Sequence, residues 1–207
     1  MQKNLFIAFE GIDGSGKSTQ VKLLAKYLTQ QGHKVYTTFE PTDSRIGTMI
    51  RDIFNHRMEG DQRVIATLFA ADRLHHLLNN TDGILKKLAE GYTVITDRYY
   101  LSSYAYHSVY VDMDWVIQAN SMSADLLRPD LNIYIDISPE VSMERLRKGR
   151  EAMEMYETLD HQVKVYQKYE EAMERVKNVE KIVRVDGNRD AEQIANDIKS
   201  MFNFLLP

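Results

Sequence analysis

The stretch that decides the fold is Gly11-Ile12-Asp13-Gly14-Ser15-Gly16-Lys17-Ser18, which matches the phosphate-loop pattern GxxxxGK[ST]. It follows an apolar run, Leu5 to Phe9, that is typical of a strand. The helical pattern after it has apolar residues at Val21, Leu24, Ala25 and Leu28, with Gly32 at the expected end. In this context backbone N–H groups and Lys17 surround phosphate oxygens, and Ser18 can ligate Mg²⁺. The stretch therefore predicts a site for a nucleoside triphosphate.

Length and charge limit the class of protein. At 207 residues the chain is expected to form a single domain, residues 1–207, with one core. Its formal charge of −4 argues against nucleic-acid binding, because a surface that follows phosphates needs a basic excess. The chain has no cysteine, which fits the reducing cytoplasm, and its amino-terminal apolar stretch is too short for a signal peptide or a membrane span. We therefore expect a cytoplasmic protein with small-molecule substrates and no nucleic-acid or membrane partner.

Strand-like and helix-like segments alternate along the chain, which predicts an α/β fold with parallel strands. The predicted strands are Leu5–Phe9, His33–Phe39, Tyr92–Thr96, Leu131–Ile137 and Lys181–Val185. Helix starts are indicated at Thr81-Asp82-Gly83, at Ser138-Pro139 and at Asp190 with Gln193. In such a fold the site lies at the carboxyl ends of the strands.

The third predicted strand ends in an acid and a base, Asp97-Arg98. A carboxylate beside the phosphate loop can hold the Mg²⁺ shell or Ser18, and an arginine there can span phosphates with its planar fork. A surface ion pair is the alternative interpretation. We expect Asp97 and Arg98 to take part in phosphoryl transfer.

Two helical groups of residues suggest the acceptor. Phe69 and Arg73 are four residues apart and can present a ring and a fork to one planar base. Ser103, Tyr106 and His107 share another helical face downstream of Arg98. An arginine that donates to a 4-carbonyl would favour thymine or uracil over cytosine. The alternative is that Phe69 belongs to the core and the nearby tyrosines only pack. His75-His76 is expected at the surface or the rim rather than in a metal site.

Taken together, these motifs resemble those of the thymidylate kinases over nearly the whole chain. The matching stretches are Phe9 to Thr19, Glu40-Pro41, Leu68 to Arg73, Asp97-Arg98-Tyr99 with Ser102-Ser103, Ala105 and Tyr106, and Arg128 to Leu131. The resemblance implies a P-loop kinase fold, with a five-stranded parallel sheet in the order 2-3-1-4-5 flanked by helices, and a homodimer. It also implies transfer of a phosphoryl group from MgATP to dTMP, which gives dTDP for dTTP synthesis.

The resemblance assigns site residues by position. ATP would be bound by Gly11, Ile12, Asp13, Gly14, Ser15, Gly16, Lys17, Ser18, Thr19, Arg145 and Arg147. The dTMP contacts would be Asp13, Pro41, Arg51, Phe69, Arg73, Arg98, Ser103, Tyr106, His107 and Tyr156. Ser18 and Asp97 would serve Mg²⁺, partly through water. Lys17, Arg98, Arg150 and Asp13 would be catalytic, with Asp13 near the acceptor sugar hydroxyl and the metal.

Within the acceptor site the resemblance implies a division of roles. Phe69 would stack on thymine, Arg73 would donate to its 4-carbonyl and Ser103 would face its N3 side. Tyr106 would crowd the 2′ carbon and so disfavour ribose. Arg51 and Arg98 would take the phosphate.

A short lid is expected near residues 145–157, where clustered cations can close over the phosphates. The lid cation that serves catalysis is Arg147 or Arg150, and Arg150 is preferred. The chain departs from the family pattern at His107, where glutamine is common, and at Thr42 to Arg45, which leaves Arg45 as a rival to Arg51 for the acceptor phosphate.

Two other functions are alternatives to phosphoryl transfer onto a nucleoside monophosphate. A deoxynucleoside kinase would need Glu-Gly-Asn before its loop and Glu-Arg-Ser at the strand end, where this chain has Glu-Gly-Ile-Asp and Asp-Arg-Tyr. A nucleotide switch would leave the aromatic–arginine helix unexplained. We therefore expect direct in-line transfer to a nucleoside monophosphate, carried by positioning and electrostatics rather than by a strong base.

Overall fold

A computed structural model describes residues 4–149 and 158–205 of the chain. Five parallel strands form one sheet in the order β2-β3-β1-β4-β5, which confirms the predicted P-loop kinase architecture. The strands are β1 (Phe6–Glu10), β2 (Val35–Phe39), β3 (Thr93–Asp97), β4 (Leu131–Asp136) and β5 (Ile182–Asp186).

Helices cover both faces of the sheet. They are α1 (Lys17–Gln30), α2 (Arg45–Phe54), α3 (Gln62–Leu78), α4 (Ile84–Ala89), α5 (Tyr100–Tyr106), α6 (Met113–Ala119), α7 (Ser121–Leu126), α8 (Pro139–Gly149), α9 (Leu159–Val176) and α10 (Ala191–Leu205). A short 3₁₀ helix, His107–Val109, follows α5 directly. No helix in the described part of the chain is both long and apolar enough to cross a membrane.

The core divides into two layers because side chains of a strand alternate between the faces of the sheet. Phe6 and Ala8 of β1 pack with α5 and α9 on one face. Ile7 and Phe9 pack with α1 and α10 on the other. Strands buried on both faces are the expected result of a parallel sheet covered by helices.

The strand register brings the candidate residues to one edge. Phe9 of β1 and Phe39 of β2 both pair with Asp97 of β3. The Arg98 N–H donates to the Phe9 carbonyl at 2.9 Å, and the Glu40 N–H donates to the Asp97 carbonyl at 3.1 Å. The phosphate loop, the Glu40-Pro41 step and the Asp97-Arg98 pair therefore leave the sheet side by side.

The carboxyl-terminal boundaries of four strands differ from the prediction by one residue. Four strands end on an acid, namely Glu10, Asp97, Asp136 and Asp186. The sequence pattern placed these acids outside or inside the strands according to apolar residues alone, whereas the backbone ladder continues through the carboxylates.

Local signals for the helix starts were partly correct. Ser138 accepts from the Val141 N–H at 3.4 Å at the start of α8, as predicted. The cap expected from Thr81 and Asp82 is wrong, because Gly83 precedes α4 without a side-chain cap. Instead Asn79 Oδ1 accepts from the N–H groups of Thr81 and Asp82, at 2.7 and 3.3 Å, and organises that turn.

Candidate active site

The phosphate loop depends on glycine at its two ends. Gly11 has a φ of 138°, and a Cβ there would lie 2.6 Å from the Ile135 carbonyl oxygen. Gly16 has a φ of 97° and caps the amino terminus of α1 in the left-handed conformation. Both positions require a residue without a Cβ. The resulting turn directs the start of α1, with its positive dipole end, toward the loop.

Lys17 is folded over this loop. Its buried ammonium donates to the carbonyl oxygens of Gly11 and Ile12, at 3.0 and 2.9 Å. Burial and the neighbouring charge of Arg98 lower the pKa of Lys17 to about 8. Because negative charge favours the ammonium form, phosphate oxygens at this position would hold Lys17 charged.

Ser18 and Asp97 meet at the carboxyl end of β3. The Ser18 hydroxyl donates to the Asp97 carboxylate, and Ser18 lies on the exposed side of the loop. A hydroxyl and a carboxylate are oxygen ligands of the kind that Mg²⁺ takes together with substrate phosphates. The donor set therefore fits a magnesium ion at these two predicted residues.

Arg98 lies at the centre of the polar contacts. It has a φ of 74°, which is rare for a residue with a Cβ and is common at functional sites. Its guanidinium pairs with the Asp13 carboxylate and lies 4.8 Å from the centre of the Tyr106 ring. It also donates to the Ser102 hydroxyl at 3.3 Å. These contacts hold the fork at the rim of the phosphate loop.

Asp13 is shared by three elements. Besides Arg98, it accepts from Tyr106 Oη of α5 at 2.9 Å and from Gln162 Nε2 of α9 at 3.3 Å. Burial raises the pKa of Asp13, but the charges of Arg98 and Lys17 outweigh it and hold the pKa below its usual value. Asp13 is therefore an ionised acceptor that ties α5 and α9 to the loop.

Beneath Arg98 lies a second, fully buried carboxylate, Glu10. It accepts from the Tyr99 N–H at 2.9 Å, from Tyr169 Oη at 3.1 Å and from the Ser102 hydroxyl. Burial raises the pKa of Glu10 to about 7, against the opposing effects of Ser102 and Arg98. Glu10 therefore supports Ser102, which in turn contacts Arg98.

Arg73 lies buried between α3 and α5, with 1% of its surface exposed. Its Nε donates to Glu40 Oε2 at 2.8 Å, and its Nη2 lies 2.6 Å from the same oxygen in an ion pair. Its Nη1 donates to Ser103 Oγ at 2.9 Å and to the side-chain oxygen of Asn120. A buried arginine with a paired charge and a fixed fork can read a carbonyl group.

Phe69 and His107 face each other beside Arg73. Their ring centres are 4.8 Å apart, and the ring centre of Phe54 of α2 lies 6.0 Å from that of Phe69. Burial, with the charge of Arg73, lowers the pKa of His107 to about 3. Among the described residues its Nδ1 has no hydrogen-bond partner. His107 is therefore a neutral imidazole next to the Phe69 ring.

Comparison with known proteins agrees with this geometry. The family model of thymidylate kinase matches residues 9–198. A thymidylate kinase of Caldicellulosiruptor saccharolyticus is 35% identical over 99% of this chain and 98% of its own length. A probable thymidylate kinase of Pyrococcus horikoshii is 41% identical over 81% of this chain and 82% of its own. The chain belongs to the thymidylate kinase family.

Another group of polar contacts in this thymidylate kinase family member fixes the loop that follows β2. Buried Asp72 of α3 accepts from the Thr42 N–H at 2.7 Å, from its hydroxyl at 2.6 Å and from the Ser44 hydroxyl at 2.7 Å. Arg51 donates to the carbonyl oxygens of Pro41 and Thr42, at 3.0 and 2.7 Å. The rival cation Arg45 is exposed at the start of α2.

Part of the predicted site, on both the donor and the acceptor side, lies outside the described residues. Arg145 Nη2 donates to the Gly187 carbonyl at 2.8 Å, and Arg147 is exposed on α8. Arg150 and Tyr156, with most of the lid at 145–157, lie outside the described ranges.

Several site residues were missed by sequence reasoning. Asn120 follows α6 and holds Arg73, while Tyr169 and Gln162 come from α9. His76 was expected at the surface or the rim, but its ring is buried. Its Nε2 lies 2.7 Å from Thr38 Oγ1, and its Nδ1 lies 3.1 Å from Glu40 Oε1. Its neighbour His75 is exposed, as predicted.

Proposed function

We propose that this chain binds MgATP on the phosphate loop and dTMP between α3 and α5, and transfers the γ-phosphoryl group directly to the dTMP phosphate. The observation that carries the proposal is the buried fork of Arg73, which lies beside Phe69 at the same edge of the sheet as the phosphate loop. A ring and a fixed donor beside a phosphate site suit a planar base whose 4-position is a carbonyl.

On the acceptor side, Phe69 stacks on thymine, Arg73 donates to its 4-carbonyl, and Ser103 faces N3. His107 borders the base as a neutral imidazole, and Tyr106 crowds the 2′ carbon. The acceptor phosphate is taken by Arg98 and Arg51, next to Pro41, with Tyr156 close by. Asp13 lies near the sugar hydroxyl.

On the donor side, the loop residues Gly11 to Thr19 hold the ATP phosphates, and Arg145 and Arg147 contact ATP from α8. Ser18 and Asp97 would hold Mg²⁺, which neutralises phosphate charge when it is bound. Lys17, Arg98 and the lid residue Arg150 absorb the charge that develops during in-line transfer. No strong base is required, because a phosphate monoester is already ionised near neutral pH.

We also propose a homodimer of single-domain chains in the cytoplasm, with the segment 145–157 as a short lid. The dimer is supported by exposed apolar side chains on helices that pack around α3. They are Met49, Val64, Leu78, Trp115, Met122 and Leu126. The compartment is supported by the absence of cysteine, which suits reducing conditions.

The substitution Arg73→Gln tests the acceptor site. We expect the KM for dTMP to rise by roughly a hundredfold while the KM for ATP changes little, because a buried charge-assisted contact to the base is lost. Arg63→Gln, an exposed arginine on the same helix, is the control. Equal KM values for dTMP in the two variants would contradict the proposed role of Arg73.

A further inference from the structure

We propose that His76 is a positioning residue for the base-reading arginine, acting through Glu40. The inference rests on the proposed role of Arg73 in the acceptor site. His76 touches neither Phe69 nor the phosphate loop in any contact described above. It contacts Oε1 of Glu40, whereas Arg73 contacts Oε2 of the same carboxylate.

The two oxygens of Glu40 are divided between two partners. Oε2 accepts from Nε of Arg73 at 2.8 Å and lies 2.6 Å from its Nη2, whereas Oε1 contacts Nδ1 of His76 at 3.1 Å. A free carboxylate opposite a guanidinium prefers the parallel fork, in which each oxygen takes one nitrogen. His76 therefore holds Oε1 away from the arginine and enforces the one-oxygen arrangement.

This arrangement determines where the other end of the guanidinium points. With Nε and Nη2 on a single oxygen, Nη1 reaches Ser103 and Asn120. The orientation of Asn120 is itself fixed, since its Nδ2 donates to the Val116 carbonyl at 2.8 Å and leaves the oxygen toward Arg73. If the Glu40 carboxylate rotated, the Arg73 guanidinium would have to rotate with it. The guanidinium would then lose its alignment with Ser103 and Asn120, and its N–H groups would no longer be positioned for the base.

The position of His76 is fixed from β2. Its Nε2 lies 2.7 Å from Thr38 Oγ1, and the pair is satisfied when Nδ1 donates to Glu40 and Nε2 accepts from the Thr38 hydroxyl. Thr38 and His76 line a surface cavity of about 290 Å³ that also includes Asp43 and Asp82. The imidazole thus closes the outer side of the Glu40–Arg73 pair and keeps bulk water from the carboxylate.

Two amide variants separate the two contacts of the ring. In His76→Asn the amide nitrogen takes the place of Nδ1 and can still donate to Glu40. In His76→Gln it takes the place of Nε2, and only the Thr38 contact remains, with the amide donating to the Thr38 hydroxyl oxygen. We expect His76→Gln to raise the KM for dTMP and for dUMP by about tenfold, since one contact to a buried carboxylate is lost.

The values of kcat and of the KM for ATP distinguish a positioning role of His76 from a general structural role. We expect kcat and the KM for ATP to stay within about twofold in His76→Gln, and His76→Asn to recover most of the affinity for dTMP. His75→Gln, at the exposed neighbour, is the matched control, and melting temperatures verify folding. Equal effects of the Asn and Gln variants, or a parallel rise in the KM for ATP, would overturn the proposal.

A double substitution separates this inference from the proposed function. If His76 acts through Arg73, His76→Gln has little further effect on the KM for dTMP in the Arg73→Gln background. If Arg73→Gln alone leaves that KM unchanged, the proposed base contact is wrong. If Arg73→Gln raises it and His76→Gln does not, only the role of His76 is refuted.

Discussion

Single residues of the proposed acceptor site differ in charge because their buried surroundings differ. Arg73 keeps its charge in the interior because Glu40 pairs with it, whereas His107 beside it has no such partner and is neutral. At the proposed base site, the positive arginine provides a strong donor and the neutral imidazole a weaker polar group. The difference in charge between Arg73 and His107 follows from the groups that each side chain contacts, and not from residue type alone.

His107 should leave a pH dependence in the stability of the protein. Its pKa is about 3 when folded, against about 6.5 for the unfolded chain, so the unfolded state binds the proton first as the pH falls. Relative to His107→Gln, the free energy of unfolding of the wild type should fall by about 2 kcal/mol from pH 7 to pH 5. Urea unfolding of the wild type and of His107→Gln at both pH values measures this difference. If the free energies of unfolding of the two proteins change equally with pH, the imidazole is not held neutral.

At the level of elements, helices and loops position the site through a few buried polar contacts. The loop between β2 and α2 is fixed from α3 by Asp72, and Ser44 in that loop also caps α2 by accepting from the Gly47 N–H at 3.1 Å. Arg51 donates hydrogen bonds to carbonyl oxygens of the same loop. One carboxylate on α3 therefore organises both the start of α2 and the proposed phosphate ligand.

Removal of that carboxylate should loosen the loop. We expect Asp72→Ala to lower the free energy of unfolding by about 3 kcal/mol, because donors on Thr42 and Ser44 lose a charged acceptor. The KM for dTMP should rise more than the KM for ATP, since Arg51 depends on the loop. Asp52→Ala on α2, where the exposed Arg57 is the partner, should cost less than about 1 kcal/mol. Similar losses in the two variants, measured by denaturant unfolding, would refute the role of Asp72.

At the scale of the whole molecule, the sheet could be predicted from the sequence. Many of the side chains that hold the site residues in place could not. The phosphate loop and the alternation of segments indicated the strands, and the Asp97-Arg98 pair marked the correct edge. Asn120, Tyr169 and Gln162 gave no periodic signal, because their roles arise when α9 packs on α5 and α7 on α3. His76 was misplaced because adjacent helical residues point in different directions, and the pattern did not show which one faces Glu40.

The proposed homodimer is tested on the whole molecule. Val64 on α3 is 46% exposed and belongs to the apolar side chains around that helix. We expect a solution mass of twice 24.0 kDa for the wild type and a shift toward 24.0 kDa for Val64→Glu, because a buried charge opposes association. Val179→Glu, at a residue that is 60% exposed beyond α9, is the control and should stay dimeric. A wild-type mass of 24.0 kDa would refute the dimer.

The central claim is that the acceptor is a nucleoside monophosphate whose base carries a 4-carbonyl. The most direct measurement is ADP release from MgATP with dTMP, dUMP, dCMP, UMP and thymidine as acceptors. The account predicts strong turnover with dTMP, weaker turnover with dUMP, and almost none with dCMP, UMP or thymidine. Preference for thymidine, equal use of dCMP, or turnover that does not depend on an acceptor would contradict it.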